Sequence, residues 1–310
     1  MKEQVGKVVL NLDHYQGADL YSDGPVEQEL LEIVKTVPEA EYPRVIAEKK
    51  SWPVLYHLSP VRENLVEWID FQKETDTVLE IGSGLGAITG VFAEKAKHVV
   101  CVELSKQRSM VNAVRHQTRD NIEIYVGNFE DIESVLPAFD VVTLIGVLEY
   151  AQSYLHSQEP YVQMLQTAWR HLKPGGRLVL AIENKLGMKY WAGCHEDHTG
   201  RLFDSIENYP ERRDIRTFSK KELADLLQAA GYCDWKFYYP YPDYKLPNAI
   251  YSDSYLPSKG TLTNNMRNFD QERLILFNEA KAYDAVMDGG LFPEFSNSFL
   301  VIARRDEEKK

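Results

Sequence analysis

The chain is expected to be α/β, a doubly wound sheet of seven mostly parallel strands with helices on both faces. Three observations predict this. Short apolar runs alternate with helical patterns from residue 77 to residue 184, a glycine-rich turn follows the first of those runs, and two further strand patterns close the chain. Such alternation marks a parallel sheet with crossover helices.

The elements follow in order. Residues 1–76 carry helical signals: EQELLEIVKTV repeats its apolar positions at three and four, and Ser59-Pro60 reads as an N-cap before VRENLVEWIDF. This stretch is expected to be an N-terminal helical cap or lid. From residue 77 come five strands, VLEI, HVVCVEL, IEIYVG, FDVVTLIG and GRLVLAIE, as rich in valine and isoleucine as buried parallel strands are. ITGVFAEKAK, SKQRSMVNAVRHQ and YVQMLQTAWRHL supply helices between them. Ser219 and Glu222 form a capping box for KKELADLLQAA, which Gly231 can end. DWKFYYPY and SNSFLVIARR are the late strands, one of them expected antiparallel near the edge. The core domain is thus placed at 77–310, with substrate-covering insertions at about 185–217 and 245–295.

A formal net charge of -12 disfavours general nucleic-acid binding, which needs a basic surface. No apolar stretch is long enough for a signal peptide or a bilayer span, so no membrane insertion is expected. Three scattered cysteines without a CxxC pair fit the cytoplasm.

The first site signal is the turn Gly82-Ser83-Gly84-Leu85-Gly86 between strand and helix, where glycine lets the backbone lie close to a ligand. Gly82, Gly84 and Ala87 also satisfy the dinucleotide pattern, so the glycines do not decide the ligand. Glu80 would repel a pyrophosphate and suits a ligand carrying sulfonium and ammonium charges. Glu103, followed by Leu104, ends the next strand where an acid accepts from ribose hydroxyls. Gly127-Asn128-Phe129, Gly146-Val147-Leu148-Glu149-Tyr150 and Leu172-Lys173-Pro174-Gly175-Gly176 come after the later strands or lead into them.

As an ordered set over about residues 59–303, these residues resemble the class I, Rossmann-like S-adenosylmethionine-dependent methyltransferases. The resemblance implies S-adenosyl-L-methionine as cofactor and S-adenosyl-L-homocysteine as product. It also implies contacts from Glu80, Gly82, Ser83, Gly84, Gly86, Glu103 and Leu104, with Asn128 and Phe129 about the adenine and Gly146 near the methionine moiety. Asn128 stands where the family usually has aspartate; its amide oxygen can still accept from an amino group.

Acceptor residues are expected after the fourth and fifth strands. Residues 189–200 hold Tyr190, Trp191, Cys194, His195, Glu196, Asp197 and His198. They read as a polar surface loop, or as a substrate lid with His195 or His198 as general base. As metal ligands their spacing matches no established zinc pattern, and no metal is assigned. Glu149 is a further candidate base. Arg212 and Arg213 read as a solvated basic face, or as recognition of a phosphate on the acceptor. The late aromatics Trp235, Phe237, Tyr238, Tyr239, Tyr241 and Tyr244 read first as core.

HLSPVRENLVEW, IENKLGMKYWAGCHEDHTG, YYPYPDYKLP and GGLFPEFSNSFLV further resemble bacterial methyltransferases that accompany glycosyltransferases in surface-polysaccharide assembly. That implies O-methylation of a sugar or glycan intermediate and association with a glycosyltransferase. The alternatives are methylation of a small aromatic or carboxylic metabolite, or a non-catalytic cofactor-binding partner.

Overall fold

The computed structural model describes residues 1–211, 214–265 and 272–306. The chain forms two compact units. The first comprises residues 1–144 and 170–177, the second residues 145–169 and 178–306. Arg212 and Arg213 lie outside the described residues.

The strands are β1 (Lys2–Val5), β2 (Val8–Asn11), β3 (Thr77–Ile81), β4 (His98–Glu103), β5 (Ile122–Val126), β6 (Phe139–Ile145), β7 (Leu172–Glu183), β8 (Asp234–Tyr241), β9 (Ala249–Ser252) and β10 (Ser298–Arg304). In the first unit the order is β1-β2-β5-β4-β3-β6. β2, β5, β4, β3 and β6 run parallel to their neighbours, and β1 closes a hairpin on β2. β3 and β4 are apolar along nearly their whole length because both faces are covered.

The α/β class holds, while the strand count does not. Ten strands are present among the described residues where seven were expected, the additions being β1, β2 and β9. Their runs are four residues each, and β1 (KEQV) has a half-exposed, charged pattern that gives no core signal. The stretch before residue 77 therefore contributes strands as well as helices. Helix Val26–Thr36 forms where EQELLEIVKTV predicts it. Leu30, Leu31, Val34, Val45, Val54 and Leu58 bury against Leu85 of the glycine turn and Val111 of helix Lys106–Arg115. Each such side chain contributes about 1.5–3 kcal/mol relative to exposure.

Ser59 does cap its turn, its hydroxyl accepting from the Val61 amide, but the turn opens only a 3-10 helix, Pro60–Leu65. Just past its end the Trp68 indole N–H donates to the Leu65 carbonyl at 3.0 Å.

In the second unit the order is β7-β10-β8-β9, with β8 antiparallel to both neighbours, in keeping with the antiparallel strand expected near the edge. The capping box of Ser219 and Glu222 is present on helix Lys220–Ala229. Phe237, Tyr239, Tyr241 and Tyr244 are buried as core. Tyr190 is also fully buried, whereas Trp191 is 40% exposed. No helix among the described residues is long and apolar enough to cross a membrane.

Candidate cofactor and acceptor sites

In the first unit the chain leaves β3 through Gly82, Gly84 and Gly86, all three at positive φ. At Gly86 a Cβ would lie 2.3 Å from Asn112 Oδ1, so only glycine lets the turn close onto helix Lys106–Arg115. Glu103, at the end of β4, accepts from the Gly84 amide through Oε2 at 2.8 Å and from the Ser105 amide through Oε1 at 3.1 Å. Leu104, next in the chain, is half-buried and Ser83 is buried.

Arg108, which the sequence reading missed, approaches Glu103 Oε1 to 3.8 Å through Nε and pairs with Asp23 and Glu27 through Nη1. Asp23 also meets His57 Nε2 at 3.2 Å. Against the cost of its own burial, His57 and Arg108 hold Asp23 down at about 2. Burial lowers His57 to about 4. These residues tie the N-terminal stretch to the acid at the end of β4.

Glu80 is buried, and its Oε2 accepts from Thr89 Oγ1 at 2.6 Å and from Cys101 Sγ at 3.5 Å. Burial pushes its carboxyl up to about 7, with the charge of Glu103 acting in the same direction. Asn128 caps the short helix Phe129–Ile132, its Oδ1 accepting from the Glu130 amide at 3.3 Å, and Phe129 lies tilted against His171.

The second unit holds a different group of polar residues. Glu149 lies in the 3-10 turn Leu148–Tyr150 beyond β6, Glu183 is the last residue of β7, and His198 comes from the loop after it. One ligand-type atom from each lies within 4.8 Å of the other two. His198 Nε2 is 3.4 Å from Glu183 Oε2, while Tyr150 Oη bonds His198 Nδ1 at 3.1 Å. Glu149 and Glu183 are 1% and 0% exposed, so both carboxyl groups are taken out of water at a cost that partners have to meet.

Burial, and next the charge of Glu183, raise Glu149 to about 8. Burial acts upward on Glu183 too, but Lys245 and His198 outweigh it and hold that carboxyl well below its usual range. The same Glu183 charge overrides burial at His198, raising it to about 9. Lys245 Nζ reaches Glu183 Oε1 at 2.6 Å and Asp197 Oδ1 at 2.7 Å. Lys189 Nζ bonds Asp197 at 2.8 Å and Asp243 at 2.7 Å. Glu196 pins the loop by accepting from the His198 and Thr199 amides.

Of the expected acceptor residues, Glu149 and His198 thus come together. His195 is not in the group; it bridges to Leu202 at the base of the loop. Glu183 and Lys245 were missed, although a carboxylate closing an apolar strand was a usable signal. Gly146, expected at the cofactor, sits at positive φ where a Cβ would come within 2.9 Å of Tyr244 Oη and 3.7 Å of Glu149 Oε1. Its lack of a side chain serves the Glu149 group.

A family model described as a methyltransferase domain matches residues 79–180. The fold of this region is of the class I methyltransferase kind. The chain is 34% identical over 119 residues to cypemycin N-terminal methyltransferase of a Streptomyces species, covering 37% of this chain and 46% of that protein. It is 28% identical over 153 residues to ribosomal RNA small subunit methyltransferase A of Alkaliphilus metalliredigens, covering 48% of this chain and 50% of that one. It therefore spans about half the length of the curated relatives it matches. Among solved structures, phosphoethanolamine N-methyltransferase 2 of Haemonchus contortus in complex with S-adenosyl-L-methionine shares the fold. That match has a TM-score of 0.50 and 12% identity over 90% of this chain and 60% of that one.

The residues present fit S-adenosylmethionine as a cofactor. The glycine turn presents backbone that a Cβ would obstruct, and both Glu103 oxygens retain a lone pair for a diol after accepting from Gly84 and Ser105. The Glu80 carboxyl, short of cationic partners, suits a positively charged ligand.

Proposed function

We propose that the protein methylates a hydroxyl of a sugar or glycan intermediate with S-adenosylmethionine as methyl donor. The observation that carries this reading is the buried convergence of Glu149, Glu183 and His198. When bound, the cofactor supplies an electrophilic methyl group. Glu103 would hold its ribose, the glycine turn and Ser83 its methionine portion, and Glu80 would balance its positive charge. Leu104, Asn128 and Phe129 would border the adenine.

Glu149, Glu183 and His198 would orient the acceptor hydroxyl and take up the charge that develops as its proton leaves. Carboxylates and an imidazole match a hydroxyl-rich acceptor. A flat aromatic metabolite would call for an apolar slot, and the aromatic side chains nearby are instead packed as core. Lys189 and Lys245, locked between Asp197 and Asp243, would keep the two glutamates in register.

The test is transfer of labelled methyl from the cofactor into a panel of nucleotide sugars, lipid-linked glycans, ribosomal RNA and peptides. Alkali-stable label in a sugar-containing product supports the reading. Label in RNA or peptide, or an alkali-labile carboxyl ester, refutes it.

A further inference from the structure

We propose that Glu149, Glu183 and His198 bind a divalent cation of the magnesium or manganese kind. The inference rests on the methyltransferase function proposed for this site and deepens it, because the ion would seat the acceptor hydroxyl. His198 and Glu149 would then serve as ligands where the sequence suggested candidate bases.

The geometry is that of a half-built coordination shell. Ligand atoms around an octahedral ion at about 2.1 Å lie about 3 Å apart when adjacent and about 4.2 Å apart when opposite. Glu183 Oε2 and His198 Nε2 are 3.4 Å apart, and the three candidate ligand atoms all fall within 4.8 Å of one another. Glu149 supplies the independent sign of a ligand. It is 1% exposed, and its buried Oε2 accepts no hydrogen bond from the described residues. A carboxylate oxygen enclosed in this way is costly unless something positive occupies its lone pairs.

The outer partners have the expected form. Tyr150 Oη engages His198 Nδ1 and leaves Nε2 directed at Glu183, as the far nitrogen of a metal-bound imidazole is usually engaged. Lys245 takes Glu183 Oε1 and leaves Oε2 on the side of His198. The charges also match. Lys189 and Lys245 balance two of the four carboxylates Asp197, Asp243, Glu183 and Glu149, which leaves two negative charges in the cluster for one ion of charge two. Two carboxylates with one imidazole favour an oxygen-preferring ion, and three protein ligands leave positions open for oxygens of the acceptor.

The test is a titration of the full chain with manganese(II) alone, read by loss of the free-ion electron paramagnetic resonance signal. Expected are one bound ion per chain, displacement by magnesium, and at least about tenfold weaker binding in Glu149→Gln. Absence of binding to the unmodified protein at millimolar manganese overturns the proposal, as does binding that Glu149→Gln leaves unchanged. A parallel titration with S-adenosylhomocysteine shows that the variant is folded. It also separates the two proposals, since loss of nucleoside binding with manganese binding intact would fail the cofactor site alone. If Glu149→Gln does not fold, His198→Gln carries the same test with the same outcomes.

Discussion

Replacing Glu80 with glutamine should make the protein more stable at pH 8 and leave it nearly unchanged at pH 4. Glu80 is 6% exposed, accepts from Thr89 Oγ1 and Cys101 Sγ, and is pushed up to about 7 by burial. Its ordinary value is 4.5. Below pH 4.5 the carboxyl is protonated in both the folded and unfolded chains and costs nothing. Between 4.5 and 7 the unfolded chain ionises while the fold retains its proton, so stability falls as pH rises. Above 7 both states are ionised and the full cost remains. At about 1.4 kcal/mol for each pH unit in that window, the cost reaches about 3 kcal/mol. Glutamine has the shape of the protonated acid and no charge, so the variant escapes the loss. Urea unfolding of both proteins at pH 4, 6 and 8 measures it. The buried histidines His57 and His116 titrate alike in both and cancel. A stability difference of the same size at every pH would show that the charge of Glu80 is not the source of the cost. Cofactor affinity supplies a second reading: ionised Glu80 favours a cationic ligand, so binding should tighten through pH 7 in the unmodified protein and stay flat in Glu80→Gln.

Glu103→Ala should weaken S-adenosylhomocysteine binding about 10- to 100-fold by calorimetry, since it removes charged acceptors from the ribose. Arg108 keeps Asp23 and Glu27, so circular dichroism should show an intact fold. Gly86→Ala places a methyl 2.3 Å from Asn112 Oδ1 at φ +78 and should cost about 2–4 kcal/mol in urea unfolding. An unchanged midpoint would show that helix Lys106–Arg115 yields freely to the turn.

Features that repeat locally could be read in the chain. Strand apolarity, helix periodicity, the capping box at Ser219 and the glycine turn are written in neighbouring residues, and each predicts an element before any contact exists. Glu103 was legible because its place is defined by the end of its own strand. Glu149 and His198 were legible as polar residues after the strands where an acceptor would be met, although nothing local distinguished His198 from His195. The short, charged β1 carried no such pattern, and the stretch after Ser59 forms only the 3-10 helix Pro60–Leu65 where local propensity read a longer one.

The α/β architecture, the glycine turn and the acid after it were already set by the order of residues along the chain. Which charges share a site was settled by folding alone. Glu149, Glu183, His198 and Lys245 come from four separate segments, and Asp23 and His57 lie far along the chain from Glu103 and Arg108, so no spacing announces either group. An ionisable residue reads as surface until folding encloses it. Once Glu149 and Glu183 are buried together, the cost of enclosing their charge has to be met by partners that only the folded chain brings within reach.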